Sequence, residues 1–596
     1  MSASAASLIN LRDLRFLLYD WLALEELCER ERYSEHSREV FDAVIDTALE
    51  IAVERFANHA AKLDLNEPTF DGERVHIIPE VKEALDAFAE AGFIAGPFGA
   101  EHGGLQLPYT VSQSAMAIFY SANTATAAYP LLTMAAASLI ATCGSPEQRE
   151  RYLGPMLDGR FTGTMALSEP QAGSALGDLR TLATPQPDGT YRLTGDKMWI
   201  SAAEHDMSDN IINLVLARTP GAPAGTRGIS LFIVPKWLDG GQRNGVHISG
   251  LNHKMGYRGT VNTVLHFEEA TGYRVGEEHR GLPYMFHMMN EARVGVGLGA
   301  AMLGYAGYLF SLDYARQRPQ GRPPWQRDPK SPPVNIIEHT DVRRMLLAQK
   351  AYVEGGLALC LFCARLVDDA ATLPSAEDRA DAELLLSLLT PIAKHWPSEY
   401  CLEANKLAIQ VLGGYGYSQE YPVERYYRDN RLNAIHEGTT GIQALDLLGR
   451  KVRAGDGAAL KLLLSRIQAT LKATAGVEGL AEHAAALGQA VRRAGDVTAK
   501  LLGAAGQGDL PRALANATIY LDMMGHTVVA WLWLDQARVA HARLQETADP
   551  DAVAFFRGKL QACRYFFRHE LPKTAAQADL LASLDDTCLS MSPEWF

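Results

Sequence analysis

Between residues 162 and 267 the apolar side chains stop recurring at the helical spacing found on either side, and this change of period decides the architecture. Upstream, Val40, Phe41, Val44, Ile45, Ala48, Ile51, Ala52 and Phe56 repeat at helical intervals, and similar patterns run to about residue 157. The middle block consists of short runs bounded by Gly, Asp and Pro, at residues 191–201, 211–217, 228–234, 246–249 and 261–267. In the last, Val261, Thr263, Leu265 and Phe267 fall on alternate positions, as in a half-buried strand. No long helix separates these runs, so an antiparallel sheet or barrel is expected. Helical spacing returns near Leu282 and holds to the end, except at residues 320–335, too proline-rich for a helix and expected as an exposed loop.

The expected fold class is therefore mainly α with a central small β domain. Its parts are an N-terminal extension (1–35), an N-terminal helical domain (36–160), an antiparallel β-barrel-like domain (161–280), a helical bundle (281–455) and an additional C-terminal helical domain (456–596). A chain of 596 residues is too long for one core.

A net charge of -14 leaves no general basic face for nucleic acid, and residues 456–596 hold 14 Lys plus Arg against 15 Asp plus Glu. The seven cysteines are odd in number and scattered, which fits a reducing compartment. Cys360 and Cys363 form a CxxC without a second pair; on one helix face they read as buried thiols, and no metal site is expected. Arg12, Asp13 and Arg15 interrupt any signal-peptide core, so a cytoplasmic location is expected. The charge-free stretches 103–146 and 294–312 read as packed internal helices, with no integral membrane segment. Gly295, Gly297 and Gly299 mimic a dinucleotide fingerprint but lie inside a helical pattern, where glycines permit close packing instead.

Three segments carry candidate chemistry. Residues 435–443, Ile-His-Glu-Gly-Thr-Thr-Gly-Ile-Gln, set the Glu437 carboxylate in a turn beside Gly438, ahead of a helical segment whose start favours an electron-rich ligand. Glu437 is a candidate general base, although such a turn also suits an ordinary helix-start carboxylate. Residues 165–174, Met-Ala-Leu-Ser-Glu-Pro-Gln-Ala-Gly-Ser, offer hydroxyls at Ser168 and Ser174 and a glycine where a ligand can touch the main chain. Residues 195–201, Gly-Asp-Lys-Met-Trp-Ile-Ser, present Trp199 on a strand, able to cover a flat ring system or to sit in a core.

Together these motifs make the chain resemble the acyl-CoA dehydrogenases. The match is with a longer branch that has an extra C-terminal helical domain and includes bacterial 3-methylmercaptopropionyl-CoA dehydrogenases and large mycobacterial fatty-acyl enzymes. Residues 40–455 match the common core; residues 1–35 and 456–596 match only that branch. The resemblance implies FAD held by Leu167 and Ser168 at the flavin ring, with Trp199 against the ring, Ser201 bonded to it and Ser174 near cofactor and substrate. It further implies Arg318 at the FAD pyrophosphate of a neighbouring subunit, Gln410 and Gly414 at the adenine end, and Thr439 as another FAD contact. Substrate would meet Ser174, Arg293 and Gly438, and a shared cofactor implies a homodimer.

The implied reaction is α,β-dehydrogenation of an acyl-CoA to the trans-2-enoyl-CoA, as in β-oxidation, with electrons passing to an electron-transferring flavoprotein. Medium to long straight chains are expected, with a short thioether acyl group as the alternative; an oxidase differs only in giving the electrons to oxygen. The α-proton needs a base, and Glu437 fills that role, with burial under Ile435 and the flavin expected to raise its pKa. Some relatives carry the base immediately before the residue that here is Arg293, but this chain has Ala292 there; Arg293 is read as orienting charge. His436 stands where a tyrosine is usual, Gly441 where shorter members have glutamine, and Gly321 where they often have phenylalanine. His436 is either a tuner of the pH profile or a hydrogen-bonded structural residue.

Overall fold

The computed structural model describes residues 5–326 and 328–596. Two compact units emerge, one of residues 32–295 and one of residues 6–31 with 296–596, and the boundary falls within the helix Gly281–Gln317.

The first unit opens with the helix Arg38–Ile51, which continues through a π turn to Phe56. Its apolar face meets the helices Pro79–Glu90 and Tyr109–Cys143. Phe119 sits at the centre, its ring 4.8 Å from Phe56, 4.9 Å from Phe88 and 5.2 Å from Phe93, in the tilted and edge-on arrangements that aromatic quadrupoles favour.

Strands β1 (Thr69–Phe70) and β2 (Val75–His76) form a small hairpin. The barrel then follows in β3 (Phe161–Ala166), β4 (Leu182–Pro185), β5 (Tyr191–Ser201), β6 (Asn210–Arg218), β7 (Ile229–Pro235), β8 (Val246–Leu251) and β9 (Asn262–Val275). Their order is β3-β6-β4-β5-β9-β7, with β8 on β9, and a further β6 to β7 pairing closes the path. Leu193, Val215, Phe232, Leu265 and Phe267 fill the interior. The expectation of purely antiparallel pairing needs correction at two places: β3 runs parallel to β6 from Phe161 opposite Asn210 to Ala166 opposite Val215, and β4 meets β6 in parallel at Leu182 opposite Arg218. The intervening β4 and β5 supply the long connection that parallel neighbours require, so no crossover helix is needed.

In the second unit, helices Thr340–Thr372 and Ala376–Leu412 are joined through residues 373–375 and pack on Ala517–Glu546 and Pro550–Tyr565. A side chain at Gly297 would lie 1.9 Å from the Ala393 carbonyl, so the glycine run there serves close packing. The N-terminal extension is pinned into this unit by buried Asp13, which bonds Lys559 Nζ at 2.9 Å and Tyr305 Oη at 3.0 Å. A turn at residues 515–516 separates the helices Leu510–Leu514 and Ala517–Glu546. Residues 320–335 form neither helix nor strand among the described residues, and backbone bonds between Gln320, Gly321 and Val334 close the loop at its base.

Three helices, Tyr109–Cys143, Gly281–Gln317 and Thr340–Thr372, are long and apolar enough to cross a membrane, but 61, 89 and 83 % of their apolar windows is buried in the fold. Cys360 and Cys363 are buried, and burial pushes the Cys363 thiol up to about 12, so both are poor nucleophiles.

Candidate active site

In the first unit, the segments bearing Ser168 and Trp199 are tied together. The β5 to β9 register skips Trp199, a β-bulge that gives it a φ of +66° and turns its indole outward, leaving it 60 % exposed. The neighbouring Met198 N–H donates to the Ser168 carbonyl at 2.9 Å. Beneath them lies a fully buried ion pair. Lys197 Nζ donates to the Leu167 carbonyl and to Glu169 Oε1, each at 2.9 Å, while Glu169 also accepts from the backbone N–H groups of Arg180 and Thr181 and from Thr181 Oγ1.

Burial opposes charge on Glu169, but Lys197 and these donors overcome it and hold its pKa down at about 2. Burial draws Lys197 down to about 8, with Glu169 resisting, so the pair is ionised at neutral pH. Glu169 and Lys197 were not singled out in the sequence, yet Lys197 shares the inward parity of Leu193 on β5, and that signal marks an inward-facing charge. Ser201 Oγ accepts from Asn262 Nδ2 at 3.1 Å, leaving its own proton to donate. Ser174 and Gly173 are exposed on the loop.

Arg293 is buried in the first unit, its guanidinium 5.9 Å from the Phe286 ring. Ala292 is buried beside it, and Glu291 accepts from Ser138 Oγ at 3.2 Å.

In the second unit, Glu437 has a φ of +54° and Gly438 a φ of +92°. A left-handed backbone at a non-glycine residue costs about 1–2 kcal/mol, so the turn must be held by its surroundings. Downstream, buried Gln443 Nε2 donates to the carbonyls of Glu437 at 3.1 Å and Gly438 at 3.3 Å, and Thr440 Oγ1 bonds Glu399 at 3.2 Å. Thr439 caps the helix Thr440–Asp446, which starts two residues earlier than the sequence pattern at Ile442 suggests. Upstream, His436 Nε2 lies 3.1 Å from Asn433 Oδ1. Burial, aided by the Lys394 charge, pushes the His436 pKa down to about 3, so the imidazole is neutral at physiological pH. Both the bond to Asn433 and the lowered pKa favour the hydrogen-bonded structural reading of His436 over the pH tuner. The expected burial under Ile435 is corrected: that side chain is 51 % exposed. Its backbone N–H is drawn back to the Leu432 carbonyl in a 3₁₀ turn, which sets the Ile435 side chain at the surface of the chain.

Arg318 lies in the same unit, 5.7 Å over the Tyr415 ring, beside the turn Gly413–Tyr417 that contains Gly414. Gln410 is exposed one turn upstream, its carbonyl accepting from the Gly413 N–H. No carboxylate pairs with Arg318 among the described residues, and open space surrounds Gly413 and Gly414. These features fit an FAD. Trp199 offers an exposed flat ring, Arg318 an uncompensated cation for phosphate, and the glycines an approachable backbone.

The fold and these motifs define a class: a helical, barrel, helical flavoenzyme with a carboxylate on a strained turn. Four family models match in order, described as the acyl-CoA dehydrogenase N-terminal domain (39–160), middle domain (164–270), C-terminal domain (279–452) and acetyl-CoA dehydrogenase C-terminal like (463–592). The chain belongs to the acyl-CoA dehydrogenase family and is an oxidoreductase of that kind, with FAD as its cofactor.

Similar to it is the 3-methylmercaptopropionyl-CoA dehydrogenase of Ruegeria pomeroyi, 37 % identical over 594 residues, covering 98 % of this chain and 99 % of that protein. The broad-specificity linear acyl-CoA dehydrogenase FadE5 of Mycobacterium tuberculosis is 32 % identical over 621 residues, covering 98 % and 99 %. Among solved structures, Caenorhabditis elegans ACDH-11 in complex with C11-CoA shares the fold with a TM-score of 0.79 at 18 % identity, covering 98 % of this chain and 96 % of that one.

Proposed function

We propose that this enzyme removes hydrogen from Cα and Cβ of a saturated acyl-CoA, giving the trans-2-enoyl-CoA, with Glu437 taking the α-proton. The observation that carries the assignment is the Glu437 turn, a carboxylate held in a left-handed backbone with its own carbonyl and that of Gly438 pinned by one buried glutamine. The α-proton is too weakly acidic for a free carboxylate, so the developing negative charge at the thioester oxygen must be met by a donor, a role given to the Glu437 backbone N–H. FAD, when bound, supplies the two-electron acceptor for the hydride leaving Cβ.

Leu167, Ser168, Ser174, Trp199 and Ser201 are assigned to the flavin ring end, Arg318 to the pyrophosphate, Gln410 and Gly414 to the adenine end, and Thr439 to a further cofactor contact. Arg293 orients the acyl-CoA through its buried charge, with Ser174 and Gly438 lining its path. The electrons pass to an electron-transferring flavoprotein, and the working form is a cytoplasmic homodimer.

Medium to long straight-chain acyl groups are the proposed substrates, in keeping with the linear acyl-CoA activity named for the mycobacterial relative. A short thioether acyl group is the second reading, favoured by the name of the Ruegeria relative at 37 % identity. Anaerobic mixing with straight-chain acyl-CoAs of graded length and with 3-methylmercaptopropionyl-CoA, followed by flavin absorbance, separates them. Fastest bleaching by octanoyl- or longer-chain CoA supports the first reading, and by the thioether the second. No bleaching by any saturated acyl-CoA overturns the function. In air, hydrogen peroxide formed in step with product would instead mark an oxidase.

A further inference from the structure

We propose that Asn405, Asn430, Asn433 and His436 form a one-way hydrogen-bond ladder that fixes His436 as its Nε2–H tautomer and so positions the turn carrying Glu437. The direction follows from the ladder's far end, where the acceptors are two backbone carbonyls that cannot donate. Asn405 Nδ2 meets the Leu303 carbonyl at 2.8 Å, which obliges the amide nitrogen to face it and leaves Oδ1 on the other side. Asn430 Nδ2 meets that Oδ1 at 2.8 Å and the Ala300 carbonyl at 3.0 Å, so its orientation is fixed twice over. Asn433 Nδ2 then donates to Asn430 Oδ1 at 3.0 Å, and Asn433 presents only Oδ1 to His436 Nε2, at 3.1 Å. An oxygen acceptor at that distance requires the proton on Nε2, and Nδ1 of the neutral ring carries none.

All three asparagines are buried without exposure, so a reversed amide anywhere would set two donors or two acceptors face to face away from water. The same segment is tied down at its backbone, where Ser398 Oγ donates to the Asn433 carbonyl at 3.1 Å and the His436 N–H to the Leu432 carbonyl at 3.2 Å. His436 is therefore the upstream anchor of a strained turn whose downstream anchor is Gln443. Burial and the charge of Lys394, on the helix Ala376–Leu412, both disfavour protonation of the His436 ring. His436 is a positioning residue in this account, which rests on Glu437 being the base.

Two measurements on the FAD-loaded full-length protein test it. Neutron diffraction should show deuterium on His436 Nε2 and none on Nδ1; deuterium on Nδ1, or an asparagine reversed, overturns the ladder. The rate of anaerobic flavin reduction by octanoyl-CoA should fall about tenfold in His436→Phe, as for loss of one buried hydrogen bond, and stay within about threefold of wild type in His436→Gln, which keeps an N–H donor. Octanoyl-CoA binding should change by less than about threefold in both. A wild-type rate in the Phe variant, or equal slowing in both variants, overturns the positioning role. Should the Phe variant not fold, the neutron result and the Gln variant decide. Failure of the underlying reading is distinct: Glu437→Gln would then reduce flavin as fast as wild type, whatever the His436 tautomer.

Discussion

The loop at residues 167–174 is anchored by a buried ion pair, whereas the Glu437 turn is anchored mainly by neutral groups, with a single carboxylate, Glu399, accepting from Thr440. Glu169 and Lys197 form an ion pair with almost no exposure, and with the Met198 N–H on the Ser168 carbonyl it locks the loop to β5 beside the Trp199 bulge. Around Glu437 the anchors are Gln443, Thr439, the asparagine ladder and an uncharged His436, with Glu399 the one charged partner, through Thr440. The contrast follows from what each segment must do. A cofactor-binding loop keeps one electrostatic state, so a buried ion pair with satisfied hydrogen bonds can hold it. The proposed base would change charge in each turnover, and a largely neutral scaffold would let it do so without breaking its own supports.

The largest effect should come from the proposed base, Glu437. Glu437→Gln keeps the shape and removes the basicity, and single-turnover flavin reduction by acyl-CoA should slow by about 10²–10⁴-fold. Next, Lys197→Met strands a buried carboxylate, so denaturant unfolding should show about 3–5 kcal/mol of lost stability, with reduced FAD content. Adding Glu169→Gln should recover part of that loss, since the stranded charge is then gone. Failure to recover would break the charged half of the comparison.

Gln443→Leu leaves two carbonyls without their donor and should cost about 1–3 kcal/mol by denaturant unfolding, with kcat falling more than KM rises.

The smallest effect concerns pH. Because the folded pKa of His436 is about 3, replacing it by Tyr should leave the activity profile between about pH 6 and 9 unshifted. Stability should respond instead. The unfolded imidazole takes a proton below about pH 6.5 while the folded one refuses it until about 3, so the wild type loses stability as pH falls through that window. His436→Tyr should lose less there, as thermal unfolding against pH would show; a shifted activity profile would break the neutral half.

The sequence announced the two segments but not their supports. Trp199, Ser168 and Glu437 lie in short contiguous motifs, so they could be singled out as candidates directly. Lys197 was legible in principle, because its parity along β5 turns it inward. The ladder was not, since Asn405 lies on a different helix from Asn430 and Asn433, and only packing brings them together. The parallel pairing of β3 with β6 was hidden for a similar reason: alternation reveals a strand and its buried face but not its neighbour. Exposed Ile435 shows the reverse limit, an apolar residue that hydropathy assigns to the interior.

The central claim, that Glu437 takes the α-proton, is tested most directly by exchange at that carbon. An acyl-CoA deuterated at Cα, incubated anaerobically with the FAD-loaded enzyme in ordinary water, should lose its label to solvent with the wild type. Glu437→Gln, with acyl-CoA binding intact, should leave the label in place. Label washing out equally fast in the variant would contradict the account and move the base elsewhere.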